Sequence, residues 1–570
     1  MKKFWIVILI VSMLAAGALL AGWLLVRQLE GDVGGPTHGV LHWKIEGAYA
    51  EKRDQSTVGL ISSGYRPVMS EMTAALRRAA RDDGITGLIL QIEAAPMDWA
   101  KLEELRASVE RFAASGKPVA AWLTVGGPRE YALALAAGTV ALPPEGVLMI
   151  TGASAEMIFL AGTLGKLGME ADFVHVGRYK SAPEMLTRSS ASAAHREMIE
   201  AIVDDHFRRF LDMIRSGRGL SLEAAAAAVD KGLWDGAGAV AAGLADTLLY
   251  FQDFRESMFR DTRTSDLADY VYAGGGGRKG PRVALVHVAG TIVDGDSRDG
   301  WQGPAAGSET VAERLREAAR DDRVDAIVLR VDSPGGSASA SDVIWHEVVA
   351  ARAYKPVVAS MSGYAASGGY YVSCGADSIF AEPGTLTGSI GVFAGKIDRH
   401  GFFEKIGVQR EYVHRGENAL IFGDQETFTS AQRSLLQAHL DAFYGRFLDR
   451  VAQGRGMSGD QVHEVAQGRV WTGRQALAAG LVDDLGGLDR ALDAVRRMLD
   501  VALDSPLLLV TSERRPGLLE RLLIRSLHES GASASLAPGL RTMAGAGLLR
   551  QVELCDGRPL ALLPWGIEFR

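Results

Sequence analysis

The sequence predicts an α/β protein made of two tandem copies of one domain behind an N-terminal membrane-spanning helix. Three observations carry that reading. Short apolar runs alternate with helical stretches, stretches of the first half recur about 238 residues later, and an uncharged run opens the chain. The predicted division is an anchor over 1–27, a first copy over 28–272, a linker over 273–281, a second copy over 282–504 and an extension over 505–570.

The chain has 570 residues, more than one domain ordinarily holds. Its formal net charge of −8 argues against a nucleic-acid partner. Only two cysteines occur, Cys374 and Cys555, in neither a metal-ligand nor a CxxC spacing, so the sequence points to no disulfide framework and no structural metal.

After Met1-Lys2-Lys3, 23 uncharged residues run from Phe4 to Val26. At ~1.5 Å per residue they would span about 34 Å as a helix, enough to cross a bilayer. Trp5 and Trp23 near the two ends suit interfacial anchoring, and Lys2 and Lys3 favour the cytoplasmic side for the start. Arg27 works against that orientation. Ala15, Ala16, Gly17 and Ala18 mimic a small-residue cleavage site, which keeps a removed signal peptide as the alternative.

Beyond a polar stretch, two halves line up. Ala75-Leu76-Arg77-Arg78-Ala79-Ala80-Arg81-Asp82-Asp83 resembles Arg314-Leu315-Arg316-Glu317-Ala318-Ala319-Arg320-Asp321-Asp322. Strand-like runs follow both, Gly87 to Ile92 and Ala326 to Val331. Lys117-Pro118-Val119 returns as Lys355-Pro356-Val357, Phe173-Val174-His175 as Tyr412-Val413-His414, and Ala241-Ala242-Gly243-Leu244 as Ala478-Ala479-Gly480-Leu481. Such a long period indicates duplication of a domain and not a solenoid repeat. Ala273 to Gly280 reads as a flexible joint. Helical stretches such as Glu309 to Ala319 and Ser341 to Arg352 alternate with apolar strands, the pattern of βαβ units. From about residue 505 no counterpart exists in the first copy. There Leu518, Leu519, Leu522, Leu523 and Leu527 form the apolar face of a basic amphipathic helix, suited to packing on the body or lying on a membrane.

The two copies differ where chemistry would sit. Val357-Val358-Ala359 leads into Ser360 to Tyr371, whose cluster of small residues reads as a tight turn between a buried strand and a helix starting at or near Ser367. A serine at such a helix start has an uncrowded hydroxyl, with the Gly368 N–H pointing where that hydroxyl attacks. The bland alternative is close helix–strand packing. At an offset of 238 the first copy has Arg129 and no nucleophile nearby. The reverse holds downstream: Lys180 in the first copy meets Ala419, or Asn418 with a one-residue slip, in the second. This reciprocal loss points to one composite site, with Lys180 as a general base whose pKa burial would lower. Read alone, Lys180 would be an ordinary solvated lysine.

Asp332-Ser333-Pro334-Gly335-Gly336 has no glycine counterpart in Glu93-Ala94-Ala95-Pro96-Met97, so oxyanion donors from Gly336 and Gly368 would also belong to the second copy. A plain turn is the alternative. In Thr387-Gly388-Ser389-Ile390-Gly391, Ser389 either orients the lysine amine or caps a helix. No HExxH, P-loop or GxSxG occurs, and His346 and His414 stand too isolated to nominate for a triad.

These motifs, with Gly177-Arg178-Tyr179-Lys180-Ser181, make the chain resemble the S49 serine peptidases in their long, duplicated form, over about residues 1 to 500. The resemblance implies ClpP/crotonase-like domains, a Ser367/Lys180 dyad, no cofactor and no metal. It further implies a homotetramer anchored in a bacterial inner membrane by one span, with catalytic domains on the periplasmic side. The implied substrates are cleaved signal peptides and other apolar peptides, with misfolded exported proteins as a second class. Two other readings share part of the pattern: a crotonase-type acyl-CoA enzyme, which needs a glycine oxyanion hole but no serine, and a non-catalytic membrane scaffold.

Overall fold

The computed structural model describes residues 38–53, 67–273, 280–299, 303–511, 560–562 and 567–569. The predicted anchor, most of the joint between the copies and the amphipathic face at Leu518 to Leu527 lie outside these residues. Among the described residues, no helix is long and apolar enough to cross a membrane.

The duplication is visible in the order of strands. The first sheet has six parallel strands in the order Thr247–Leu248, Thr139–Leu142, Val119–Leu123, Ile85–Ala94, Gly39–Glu46, Thr264–Asp266. In the second sheet Asp484–Leu485, Ser378–Ala381, Val357–Ala366, Ala326–Ser333, Arg282–Ala289 and Leu508–Thr511 take the same places, again parallel. Leu508–Thr511 therefore does have a counterpart, Thr264–Asp266, contrary to the sequence reading of residues beyond 505. Four short residues at an edge carry too little pattern to register as a repeat.

Both faces of the second sheet are covered. Ile327, Leu329 and Val331 point into the larger apolar core, while Ala326 and Val328 point into the one beneath Leu488–Met498. This alternation explains the continuous apolar run of the strand. Recurrent polar residues have structural causes as well. Lys117 donates to the carbonyls of Ala79 and Asp82, and Lys355 to those of Ala318 and Asp321. Each lysine satisfies carbonyls left open at the C-terminal end of a helix one βα unit earlier, Met69–Ala79 for Lys117 and Ser308–Arg320 for Lys355. The long helices Ala193–Arg218 and Ser430–Arg455, of 26 residues each, start at the side-chain caps Ser192 and Thr429 and stop at left-handed Gly219 and Gly456.

The copies are locked together by buried charge. Arg330 of the second copy, 1 % exposed, donates to both Glu51 oxygens at 2.8 and 2.9 Å and to Glu104 at 2.5 Å, both carboxylates coming from the first copy. Burial pushes the Glu51 carboxyl up, but the charge and hydrogen bonds of Arg330, together with Lys101 and the Ser362 hydroxyl, outweigh it and hold Glu51 at about 2. Burial pushes Glu104 up, against the pull of the same guanidinium. Removing Arg330 strands two buried carboxylates, so Arg330→Ala should cost about 3–5 kcal/mol of unfolding free energy. Urea titration checks this; a loss below 1 kcal/mol would mean that the cluster is not a lock.

Candidate active site

Ser367 stands where the strand Val357–Ala366 gives way to the helix Gly368–Ser373. The sequence places a tight turn across the small residues from Ser360. In the structure they continue the strand to Ala366, because they pair with Ala326–Ser333 on one side and Leu386–Gly388 on the other. The turn is confined to Ser367 itself, with φ 55° and ψ −110°. A non-glycine residue there stores roughly 1–3 kcal/mol of strain. The Ser367 N–H donates to the Gly388 carbonyl at 2.7 Å, and its carbonyl accepts from the Tyr371 N–H at 2.8 Å.

The counterpart of Ser367 shifts by one residue from the sequence reading. Tyr131 and Tyr370 play equivalent parts, donating to the Leu244 and Leu481 carbonyls at 2.7 and 2.8 Å. They set the local offset at 239, which places Pro128, not Arg129, opposite Ser367. Pro128 opens the helix Pro128–Ala134, where a residue without an N–H is tolerated. The first copy still has no hydroxyl or thiol at this place.

Lys180 arrives from the first copy. The strand Glu170–Val176 leaves its own repeat and pairs antiparallel with Val392–Asp398 of the other, from Glu170 opposite Asp398 to Val176 opposite Val392. Past its end Gly177 turns the chain at φ +111°, where a Cβ would lie 2.5 Å from the Gln467 carbonyl carbon. Only glycine fits that close approach. The Tyr179 N–H then donates to the Gln467 carbonyl at 2.8 Å, and the Tyr179 hydroxyl to Glu197 at 2.9 Å, pinning the segment.

The result is a contact between residues 187 positions apart: Lys180 Nζ lies 2.7 Å from Ser367 Oγ. It also lies 3.0 Å from both the carbonyl and the Oγ of Ser389. Lys180 is 1 % exposed, and Ser367 and Ser389 are fully buried. Burial pushes the Lys180 amine well below its usual value, and no carboxylate partner offsets that push. Lys180 Nζ donates to Ser389 O, Ser389 Oγ and Ser367 Oγ, and the Ser367 hydroxyl faces the Gly391 carbonyl at 3.4 Å; with the amine neutral, its lone pair would be placed to accept from that hydroxyl instead. Ser389 is thus beside the lysine and caps no helix, and its own φ of 49° turns both oxygens towards Nζ.

Gly336 and Gly368 also meet. A Cβ on Gly368 would lie 3.2 Å from the Gly336 nitrogen and 2.6 Å from Ser341 Oγ, so the two backbones come together only without a side chain. All five residues singled out from the sequence therefore gather at one place. What sequence reasoning missed is the support beneath them. Lys101 of the first copy donates to Asp332 at 2.7 Å, and Asp332 in turn accepts from the Tyr364 N–H in the Ser367 strand. No motif marks that contact, which spans 231 positions. Among the described residues, no group of three His, Cys, Asp or Glu side chains is close enough to hold a metal ion.

The family model for Peptidase family S49 matches residues 111–264 and 350–502, one stretch in each copy. Similar proteins include "Serine protease SPPA, chloroplastic" of Arabidopsis thaliana, 32% identical, covering 84% of this chain and 72% of that protein. "Protease 4" of Salmonella typhi is 34% identical over 76% of this chain and 72% of its own. "Protease 4" of Haemophilus influenzae is 28% identical over 89% of this chain and 88% of its own.

Proposed function

The chain belongs to peptidase family S49, and from that premise we propose that it is a membrane-anchored serine endopeptidase, with Ser367 as nucleophile and Lys180 as general base. The observation that carries this reading is the buried lysine amine 2.7 Å from the serine hydroxyl. Lys180 takes the Ser367 proton as Oγ attacks the scissile carbonyl carbon. The oxyanion is held by the N–H groups of Gly336 and Gly368. The resulting ammonium gives its proton to the leaving amine, the C–N bond breaks, and an acyl-serine remains. Water then enters, loses a proton to Lys180, attacks the ester and frees both acid and enzyme. Ser389 orients the amine throughout.

The substrates we assign are cleaved signal peptides and similar apolar peptides, reached on the far side of a membrane that Phe4 to Val26 would span. The ClpP/crotonase-like class is assigned to each repeat on the shared strand order and the glycine-lined site. A homotetramer is supported by the second copy's equivalent of the lysine arm. Val413, matching Val174, is 91% exposed, whereas Val174 is 4% exposed. Among the described residues that arm has no strand partner such as its counterpart has, and the first copy of a neighbouring chain would supply one; sedimentation as a monomer would overturn this assembly.

Incubating the full chain with a synthetic signal peptide tests the activity. Cleavage products in the mass spectrum, with Ser367 labelled by an acylating inhibitor, are expected. An intact peptide together with an unlabelled serine would sink the reading.

A further inference from the structure

A third sheet runs through the site, and one of its strands comes from the far end of the chain. Its order is Ala305–Gly307, Thr291–Val293, Gly335–Ser337, Leu560–Leu562, Val392–Asp398, Glu170–Val176. Leu560–Leu562 is antiparallel to both neighbours: Gly336 faces Ala561, Ser337 faces Leu560, and Phe393 faces Leu560 from the other side. It thus lies between the strand bearing Gly336 and the strand that follows Ser389 to Gly391. Two unpaired strand edges facing each other across one gap are where an extended peptide adds by backbone hydrogen bonds.

We propose that Leu560–Leu562 lies in the path a substrate peptide takes, and that the tail of this chain competes internally with substrate for that path. The inference rests on the peptidase reading above and names what regulates the same site.

Further observations support it. Ser367 is fully buried, so a peptide reaches it only when something moves away. The Leu560 side chain, 3% exposed, packs on Ala182 and Phe393, with Phe173 beside them. Ala182 is two residues past Lys180, so this apolar pocket adjoins the proposed general base. The tail reads Leu560-Ala561-Leu562-Leu563, the composition of the apolar core of a signal peptide. In the sequence Pro559 and Pro564 bracket it, and a proline has no N–H to donate to a ladder. Further on, Ile567–Phe569 pairs antiparallel with Ala155–Met157, giving the tail a second hold on the body.

The test uses the full chain and two substitutions in the tail. Leu560→Asp places a charge in the apolar pocket, and Ala561→Pro removes a backbone donor from the strand. Each should lower KM for an apolar peptide by about fivefold or more, with kcat unchanged, because the open fraction rises. A synthetic peptide of residues 556–566 should inhibit the Leu560→Asp chain competitively, and the same peptide carrying Leu560→Asp should not. Wild-type KM in both variants, or no inhibition by the unmodified peptide, overturns the proposal.

A binding readout separates this failure from failure of the peptidase reading. Fluorescence anisotropy of the labelled 556–566 peptide should report binding to the Leu560→Asp chain and much weaker binding to wild type, whether or not either cleaves. Equal binding to both chains, or binding to neither, overturns it.

Discussion

Replacing Ser367 with alanine should lower kcat/KM on an apolar peptide by about 10⁴-fold or more while leaving the chain folded. The loss is large because the hydroxyl is the only atom in the site that would form a bond to substrate. What would remain, the backbone N–H groups of Gly336 and Gly368, would stabilise an oxyanion that no nucleophile generates. Folding should survive because alanine keeps the Cβ at φ 55° and adds no volume. It does leave the buried Lys180 amine without one hydrogen-bond partner, at a cost of about 1–3 kcal/mol. Peptide hydrolysis measured beside a thermal melt separates these effects. Activity within tenfold of wild type would remove Ser367 from the mechanism.

Lys180→Met should abolish activity to a similar degree and alter stability in a pH-dependent way. Burial depresses the Lys180 pKa in the folded chain, while the unfolded chain keeps the ordinary value near 10.5. Between those two values the unfolded state binds more protons, so wild-type stability rises with pH across that window. Below the folded pKa the full penalty applies; above the unfolded value none does. Methionine fills similar volume and does not titrate. The Tm of Lys180→Met relative to wild type should therefore be highest at low pH and fall steadily as pH approaches the ordinary lysine value. Lost hydrogen bonds to Ser389 and Ser367 add an offset that does not vary with pH. A Tm difference constant with pH would mean that Lys180 is charged when folded. Wild-type peptide cleavage should follow the same titration, rising with pH until the amine is neutral and then levelling.

The legible features were those with a local cause. Lys117-Pro118-Val119 and Lys355-Pro356-Val357 recur because each lysine fills the same place in its repeat, donating to carbonyls at the end of Met69–Ala79 in the first copy and of Ser308–Arg320 in the second. The site residues were legible through comparison of one half with the other: Ser367 and Lys180 stand out because each is missing from the opposite copy. Local composition misleads where neighbouring strands decide the conformation. The stretch from Ser360 to Ala366, rich in Ser, Gly and Ala, looks like a turn, yet the neighbouring strands supply the hydrogen bonds that hold it extended. The sequence offset of 238 sets Arg129 opposite Ser367, whereas the equivalent hydroxyl bonds of Tyr131 and Tyr370 select Pro128.

From sequence alone follow the α/β class, the duplication, and a serine and a lysine divided between its halves. These depend on periodicity and self-comparison, which survive in one dimension. Only the tertiary structure decided that Lys180 Nζ comes within 2.7 Å of Ser367 Oγ, that Arg330 locks Glu51 and Glu104, and that Leu560–Leu562 threads between two strands of the site. Those contacts join residues 187 to 279 positions apart in the first two cases. Distance, burial and the fate of a buried charge are properties of packed neighbours, and no local pattern of residues encodes which distant segments will become neighbours.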